Sequence, residues 1–345
     1  MHIILIQDDK PGHYHQSEAI IEALKQLFDQ VTIEVIDIKR RTKLSRTILR
    51  FMLNHFSYFF KDAYTLKFLP FFYRTIALPK QRPDLIVSTG GDTANLNAWF
   101  ALYYGSYNLY NGGPRGLHAE LFTYVTTVLD LGVDNQIILD IAPTTIALAQ
   151  KNKRLLDHFQ LSTDKPCYVL LIGGDGSGYR YDRYDIDALI AGVNYLHQLH
   201  QAQWLVTTSR RTNKVFEAHM KQKMEAHYFV DFHRNPQKVV GDFLQLADVV
   251  FVTEESASMV SEAIASGKPV VTLSPRKVRT DSNYQAILRK YIQKNYIMAY
   301  PIATLDTIDT IDAMDAWQFD VRTISSIQEL RIKLGKVFMA KENDL

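Results

Sequence analysis

The segment Val249–Pro275, VVFVTEESASMVSEAIASGKPVVTLSP, admits few folds. Asp248–Val252 is an almost wholly apolar run, too short for a helix, and reads as a strand buried on both faces. Small polar residues then turn the chain. Ser258–Ala265 has helical spacing, and Gly267 stands where a glycine ends a helix. Pro269–Leu273 is a second buried strand. A strand, a helix and a strand in this order form a βαβ unit, whose two strands run parallel.

The same pattern recurs along the chain. Ile3–Ile6, a helix over Gln16–Phe28 and a β-branched strand Val31–Ile36 make one βαβ unit. Further strands are expected at Asp84–Ser88, Thr123–Leu129 and Gln136–Leu139, with a helix from about Thr93 to Tyr104. After a polar stretch between Gln150 and Pro166, strands are expected at Cys167–Ile172, Trp204–Thr207 and His227–Val230. Helices are expected at Ile186–Leu199, Val215–Lys223 and Val239–Leu246, and a last one at about Ile324–Phe338. A chain of 345 residues with two such α/β halves suggests two domains. The expected ranges are 1–155, 165–320 and a C-terminal helical piece, 323–345, packing back toward the first. Ligands of doubly wound sheets bind at the carboxyl ends of the strands. Two Rossmann-like doubly wound parallel-sheet domains facing a cleft are the expected architecture.

Composition excludes several classes. The formal charge of +2 gives no case for nucleic acid. The single cysteine, Cys167, rules out a disulfide framework and a cysteine-based zinc site. The N-terminal apolar run ends within a few residues at Asp8 and Asp9, unlike a signal peptide, and no long apolar stretch suggests a membrane span. A cytoplasmic protein is expected, with peripheral contact to the inner membrane left open.

Five constellations can carry chemistry. The first is the turn before the Ser258 helix, with Glu255, Ser256, Ser258 and Met259. A helix N-terminus presents free amides and partial positive charge to a diphosphate, and Glu262, a turn further in, can accept both hydroxyls of a ribose. The competing reading makes Ser258 a cap and Glu262 a solvated residue. The second is Gly173-Gly174-Asp175-Gly176-Ser177-Gly178, a close-approach loop or simply a tight turn. It is neither a Walker loop nor a dinucleotide fingerprint. The third is Ser209-Arg210-Arg211-Thr212, whose guanidiniums suit phosphate unless they are only solvated. All three follow strand ends of one sheet, so they can converge on one ligand.

The fourth constellation, Asp8 to Gln16, follows the first strand of the other half. Transfer to a hydroxyl needs a general base, and Asp9 and His13 are the candidates, although His13 can also be a capping residue. Lys10, Gly12, Gln16, Gly91 and Asp92 are expected on the acceptor side, and Gly112–Arg115 can complete it. The fifth is the stretch 39–80, where basic residues alternate with aromatics. This suits an anionic membrane surface unless the aromatics are core. Asp185-Ile186-Asp187, the one Asp-x-Asp, reads as the start of a helix, and no metal site is expected.

Four stretches, Asp9–Gln16 (DKPGHYHQ), Leu171–Gly174 (LIGG), Ser209–Thr212 (SRRT) and Val252–Pro269 (VTEESASMVSEAIASGKP), resemble the ELM-type family. That family is named for a plant mitochondrial-fission factor, and its bacterial branch holds lipooligosaccharide outer-core glycosyltransferases. More distantly the chain looks like the lipid-linked glycosyltransferases of cell-wall synthesis. The resemblance implies a GT-B fold and a nucleotide-sugar donor, UDP-linked, held by Gly174, Arg210, Ser258, Met259 and Glu262, with Gly173, Arg211 and Thr212 beside them. It implies a glycolipid or oligosaccharide acceptor on the N-terminal domain and metal-independent transfer, expected to invert. No separate cofactor is expected. The alternatives are a non-catalytic adaptor at a membrane surface and a nucleotide-sugar epimerase.

Overall fold

A computed structural model describes residues 1–74, 76–279, 282–307 and 319–342. The chain divides into two compact units, Met1–Thr145 with Ser326–Leu345, and Ile146–Ser325. Part of the expected 165–320 range, notably residues 308–318, and the end of 323–345 lie outside the described residues.

The first unit opens with β1 (His2–Gln7), α1 (Pro11–Lys25) and β2 (Thr32–Asp37). Then come α2 (Lys43–His55), two short 3-10 segments and α3 (Leu69–Phe72). It continues with β3 (Leu85–Thr89), α4 (Ala94–Tyr104), β4 (Tyr107–Asn111), β5 (Tyr124–Thr127) and β6 (Gln136–Ile138). The sheet order is β2-β1-β3-β4-β5-β6, and all pairs are parallel. β1 is completely buried from Ile3 to Ile6 and packs helices on both faces. On one face Trp99 of α4 meets Phe60 and Phe72 edge-on. Such pairs add about 0.5–1.5 kcal/mol each beyond their buried area.

The second unit contains α5 (Lys153–His158), β7 (Cys167–Leu171), β8 (Tyr179–Arg180), α6 (Arg183–His200), β9 (Gln203–Thr207) and α7 (Lys214–Lys223). It goes on through β10 (Tyr228–Val230), α8 (Val240–Leu246), β11 (Val249–Thr253), α9 (Ala257–Ala265) and β12 (Val270–Ser274). β13 (Lys277–Val278), α10 (Ser282–Gln293) and β14 (Met298–Pro301) follow. Its parallel sheet has the order β10-β9-β7-β11-β12-β14, while β8 and β13 form a small antiparallel pair. Trp204 and Phe251 pack against each other in its core, tilted by 46° with 5.0 Å between centroids. The last helix, α11 (Ser326–Glu342), belongs to the first unit, where Leu330 and Leu334 are fully buried with Ile20 and Leu24 of α1.

Both sheets change direction once. In the first, the chain winds outward from β1 to β2 and then returns to β3 on the other side. In the second, it winds from β7 to β9 and β10 and then returns to β11. Crevices at such switch points are the usual ligand sites of doubly wound sheets. The first lies at the ends of β1 and β3, beside Asp8 and Gly90. The second lies at the ends of β7 and β11, beside Gly173 and Glu254.

Candidate functional sites at the two switch points

At the second unit's switch point, the Gly173 amide donates to Thr253 Oγ1 at 2.8 Å, tying the two strand ends together. The Ser209–Thr212 loop leans on the same glycine: the Ser209 hydroxyl and Thr212 Oγ1 both donate to its carbonyl. Gly174 has φ +103°, and a Cβ there would lie 2.5 Å from the Arg211 carbonyl oxygen. Glycine is therefore required by packing between two loops. A Cβ on Gly173 would lie 1.7 Å from Glu255 Oε1.

Glu255 is internal. Its carboxylate accepts from Tyr181 at 2.5 Å and from Thr253 at 3.2 Å, and Arg211 stands 3.4 Å away. Burial pushes this carboxyl up to about 7, against the opposing pull of Tyr181 and Arg211. Arg211 and Glu255 thus brace the glycine loop from behind, while Arg210 beside them is exposed.

α9 begins at this edge. Its N-cap, Ser256, makes no side-chain cap, and its first turn carries no acid. The amides of Ala257, Ser258 and Met259 thus point outward without a capping side chain, the arrangement that binds phosphate. One turn on, Glu262 is half-buried and forms no hydrogen bond or ion pair among the described residues. Burial raises its carboxyl to about 7. A half-buried carboxylate without a partner is costly unless a ligand supplies donors.

At the first unit's switch point, His13 of α1 lies against Gly90, where φ is +99° and a Cβ would fall 2.1 Å from the imidazole Nδ1. That Nδ1 stands 2.9 Å from Asp8 Oδ1. Burial works to raise the Asp8 carboxyl, but the hydrogen bond and charge of His13, with Lys10, overcome it and hold Asp8 below its ordinary value. Ionised Asp8 can only accept, so Nδ1 carries the hydrogen, and the neutral form of the ring has its lone pair on Nε2. Lys10 bridges Asp8 and Asp92 at 3.3 and 3.1 Å. Burial works to lower the Lys10 ammonium, and these two carboxylates raise it above the usual lysine value. Arg40 and Arg46 also pair with Asp92. A cavity of about 340 Å³ opens here, lined by Lys10, His13, Arg46, Arg50, Gly91, Asp92, Asn95 and Arg115.

Of the residues expected on this side, Lys10, His13, Gly91 and Asp92 line the cavity. Gln16 accepts from Asn111 Nδ2 at 2.8 Å and Gly12 lies in the first turn of α1. Asp9 is exposed and pairs with nothing among the described residues. Its neighbour Asp8, which sequence reasoning passed over, takes the position beside His13. Arg40, Arg46 and Arg50 were read with the basic stretch 39–80, yet Arg46 and Arg50 face the cavity. The four-residue spacing of Arg46 and Arg50 puts them on one face of a helix but does not say what that face meets.

The rest of that stretch is an exposed aromatic and basic face. Leu49 and Leu53 bury one side of α2, while Phe51, Tyr58, Phe59, Tyr64 and Phe71 are each more than half exposed. Lys43, Lys61 and Lys67 lie exposed among them. No helix among the described residues is long and apolar enough to cross a membrane.

The family model described as mitochondrial fission ELM1 matches residues 11–318, which takes in most of the chain. The chain belongs to the ELM1 family. No curated protein matches this ELM1-family chain in sequence. Solved structures share its fold. A Staphylococcus aureus MnaA–UDP structure is 12% identical over 98% of this chain and 97% of its own, with a TM-score of 0.59. A Neisseria meningitidis UDP-GlcNAc 2-epimerase bound to UDP-GlcNAc is 12% identical over 100% of both chains, with a TM-score of 0.57. Acinetobacter baumannii MurG is 11% identical over 100% of this chain and 99% of its own, with a TM-score of 0.50. At these identities the likeness concerns the fold. The ELM1-family chain has the GT-B fold that the family resemblance implied, with the two Rossmann-like doubly wound units expected from its sequence pattern.

Proposed function

We propose that the protein is a glycosyltransferase. Its second unit takes a nucleotide-sugar, UDP-linked, and its first unit takes a glycolipid or oligosaccharide acceptor of the lipooligosaccharide kind. The observation that carries this reading is the uncapped start of α9 one turn from Glu262, at the β7–β11 switch point. The amides suit the diphosphate and Glu262 suits the ribose hydroxyls. Arg210, exposed beside the glycine loop, adds a guanidinium for the phosphates. The solved structures of this fold named with UDP or UDP-GlcNAc support a uridine nucleotide.

In the proposed reaction, His13 Nε2 removes the proton of the acceptor hydroxyl while Asp8 holds the ring in the required tautomer. The acceptor oxygen bonds to the anomeric carbon as the bond from that carbon to the β-phosphate oxygen breaks. The electron pair leaves with the nucleoside diphosphate, whose charge is met by the α9 amides and Arg210, with no metal required. A single displacement inverts the anomeric centre. Of the two candidate bases His13 is taken here, because Asp9 is exposed and does not line the cavity. The aromatic and basic face of residues 39–80 is read as a contact with the anionic inner membrane surface, and the protein as a cytoplasmic, peripheral one.

That same face supports a second reading, a membrane-surface adaptor that keeps the GT-B fold, in keeping with the fission named in the family's description. Melting curves with uridine diphosphate and a panel of nucleotide-sugars separate the two. A ligand that binds the folded state raises the melting temperature by mass action. The transferase reading expects a shift that Glu262→Ala removes, and an adaptor expects none. Conversion of the donor without an acceptor, followed by proton NMR, would instead mark an epimerase.

A further inference from the structure

We propose that the cavity at the β1–β3 switch point binds a phosphoryl group, so that the acceptor is a phosphorylated sugar or a sugar phosphate carried on lipid. The proposal rests on the reading of the first unit as the acceptor side. It is carried by charge that the protein leaves uncompensated. Asp92 already takes Arg40, Lys10 and Arg46, and Asp8 takes Lys10 and His13. Arg50 and Arg115 pair with no carboxylate among the described residues, and both line the cavity. Arg50 is held by a hydrogen bond from its Nη1 to the Arg115 carbonyl at 3.1 Å, which leaves its other guanidinium nitrogens for a ligand. Arg115 itself has a φ of +58°, a conformation few non-glycine residues adopt. Strain of this kind tends to be retained where a side chain must be aimed.

Two helices also begin at this cavity. α1 starts beside Lys10 and α4 starts just after Asp92, and neither has a side-chain cap. The first turn of each is without an acid. Two helix N-termini and two guanidiniums without a carboxylate partner call for more than one negative charge. A carboxylate brings one; a phosphomonoester brings close to two, with oxygens for several donors. The volume, about 340 Å³, lies at the small end of ligand sites. His13 lines the same cavity, so a phosphate there fixes the sugar that carries it beside the base.

The test uses the full chain saturated with uridine diphosphate, which occupies the second unit's site, and titrates inorganic phosphate by calorimetry. One saturable site is expected. Arg50→Gln and Arg115→Gln are each expected to weaken it about tenfold, with unchanged melting curves and unchanged uridine diphosphate binding. No saturable binding, or equal binding by folded variants, overturns the proposal. If uridine diphosphate itself fails to bind, the donor reading fails, while the phosphate titration still decides the cavity. Glucose 1-phosphate and vesicles of phosphatidic acid in phosphatidylcholine then compete for the site. Displacement by the soluble ester supports a sugar phosphate, and displacement by the vesicles alone supports a lipid headgroup. Displacement by neither overturns the acceptor class.

Discussion

His13 Nδ1 lies 2.9 Å from Oδ1 of Asp8, and this one contact decides which imidazole nitrogen is free. Asp8→Asn keeps the shape but supplies an amide that can donate, which allows the wrong tautomer. Removing an oriented general base costs about 10²–10⁴-fold. Initial rates of sugar transfer should therefore fall at least about a hundredfold in Asp8→Asn, with the melting shift from uridine diphosphate intact. A variant as fast as the parent would remove His13 from the mechanism. Asp9→Asn should have little effect.

Gly90 holds the ring from the other side. A methyl group there would stand 2.1 Å from His13 Nδ1 at a φ of +99°. Gly90→Ala is expected to destabilise the first unit by about 1–3 kcal/mol, measured by urea melts, and to displace His13. Gly113, around which a Cβ would meet nothing within 4 Å, serves as the mild control when changed to Ala.

Much of this architecture was legible in the sequence because parallel strands buried on both faces are continuous apolar runs. β4 was not, since all of Tyr107–Asn111 except Leu109 is asparagine or tyrosine. Its two asparagine side chains are buried and satisfied internally: Asn108 Nδ2 donates to Asn97 at 2.8 Å and Asn111 Nδ2 to Gln16 at 2.8 Å. The glycine loop, the Ser209–Thr212 loop and the start of α9, each following a strand end, were readable as motifs. What the sequence could not separate was bracing from presentation. Arg210 and Arg211 are adjacent, yet one is exposed and the other is spent on Glu255. Asp8 and Asp9 divide in the same way, because alternation at a strand end turns only one of them toward α1. Arg46 and Arg50 belong to the cavity only because α2 packs beside α4, a tertiary fact that no local pattern carries.

Glu262 gives a pH dependence with a definite sign. Its carboxyl sits at about 7 in the folded protein against an ordinary 4.5. The folded state therefore binds more protons between these values, and stability falls as pH rises from below 4.5 through about 7. Glu255, also raised to about 7, acts in the same direction. Melting temperatures across this range should decline with pH in the parent and decline less in Glu262→Gln. A parallel pair of curves would show that Glu262 is solvated.

The exposed aromatic face predicts vesicle binding. Phe51→Ser with Phe59→Ser should weaken co-sedimentation with anionic vesicles about tenfold or more. Lys43→Glu with Lys61→Glu should weaken it in a salt-dependent manner. Arg46 and Arg50 are excluded from this test because they line the cavity. Vesicle binding identical to the parent in both double variants would leave the face as an ordinary surface.

The central claim is that the second unit's switch point receives a nucleoside diphosphate, and a crystal structure with uridine diphosphate tests it most directly. The account predicts phosphate oxygens on the amides of Ser258 and Met259, and ribose hydroxyls within hydrogen-bond distance of the Glu262 carboxylate. A nucleotide bound elsewhere, or Glu262 left without contact to it, would contradict the account.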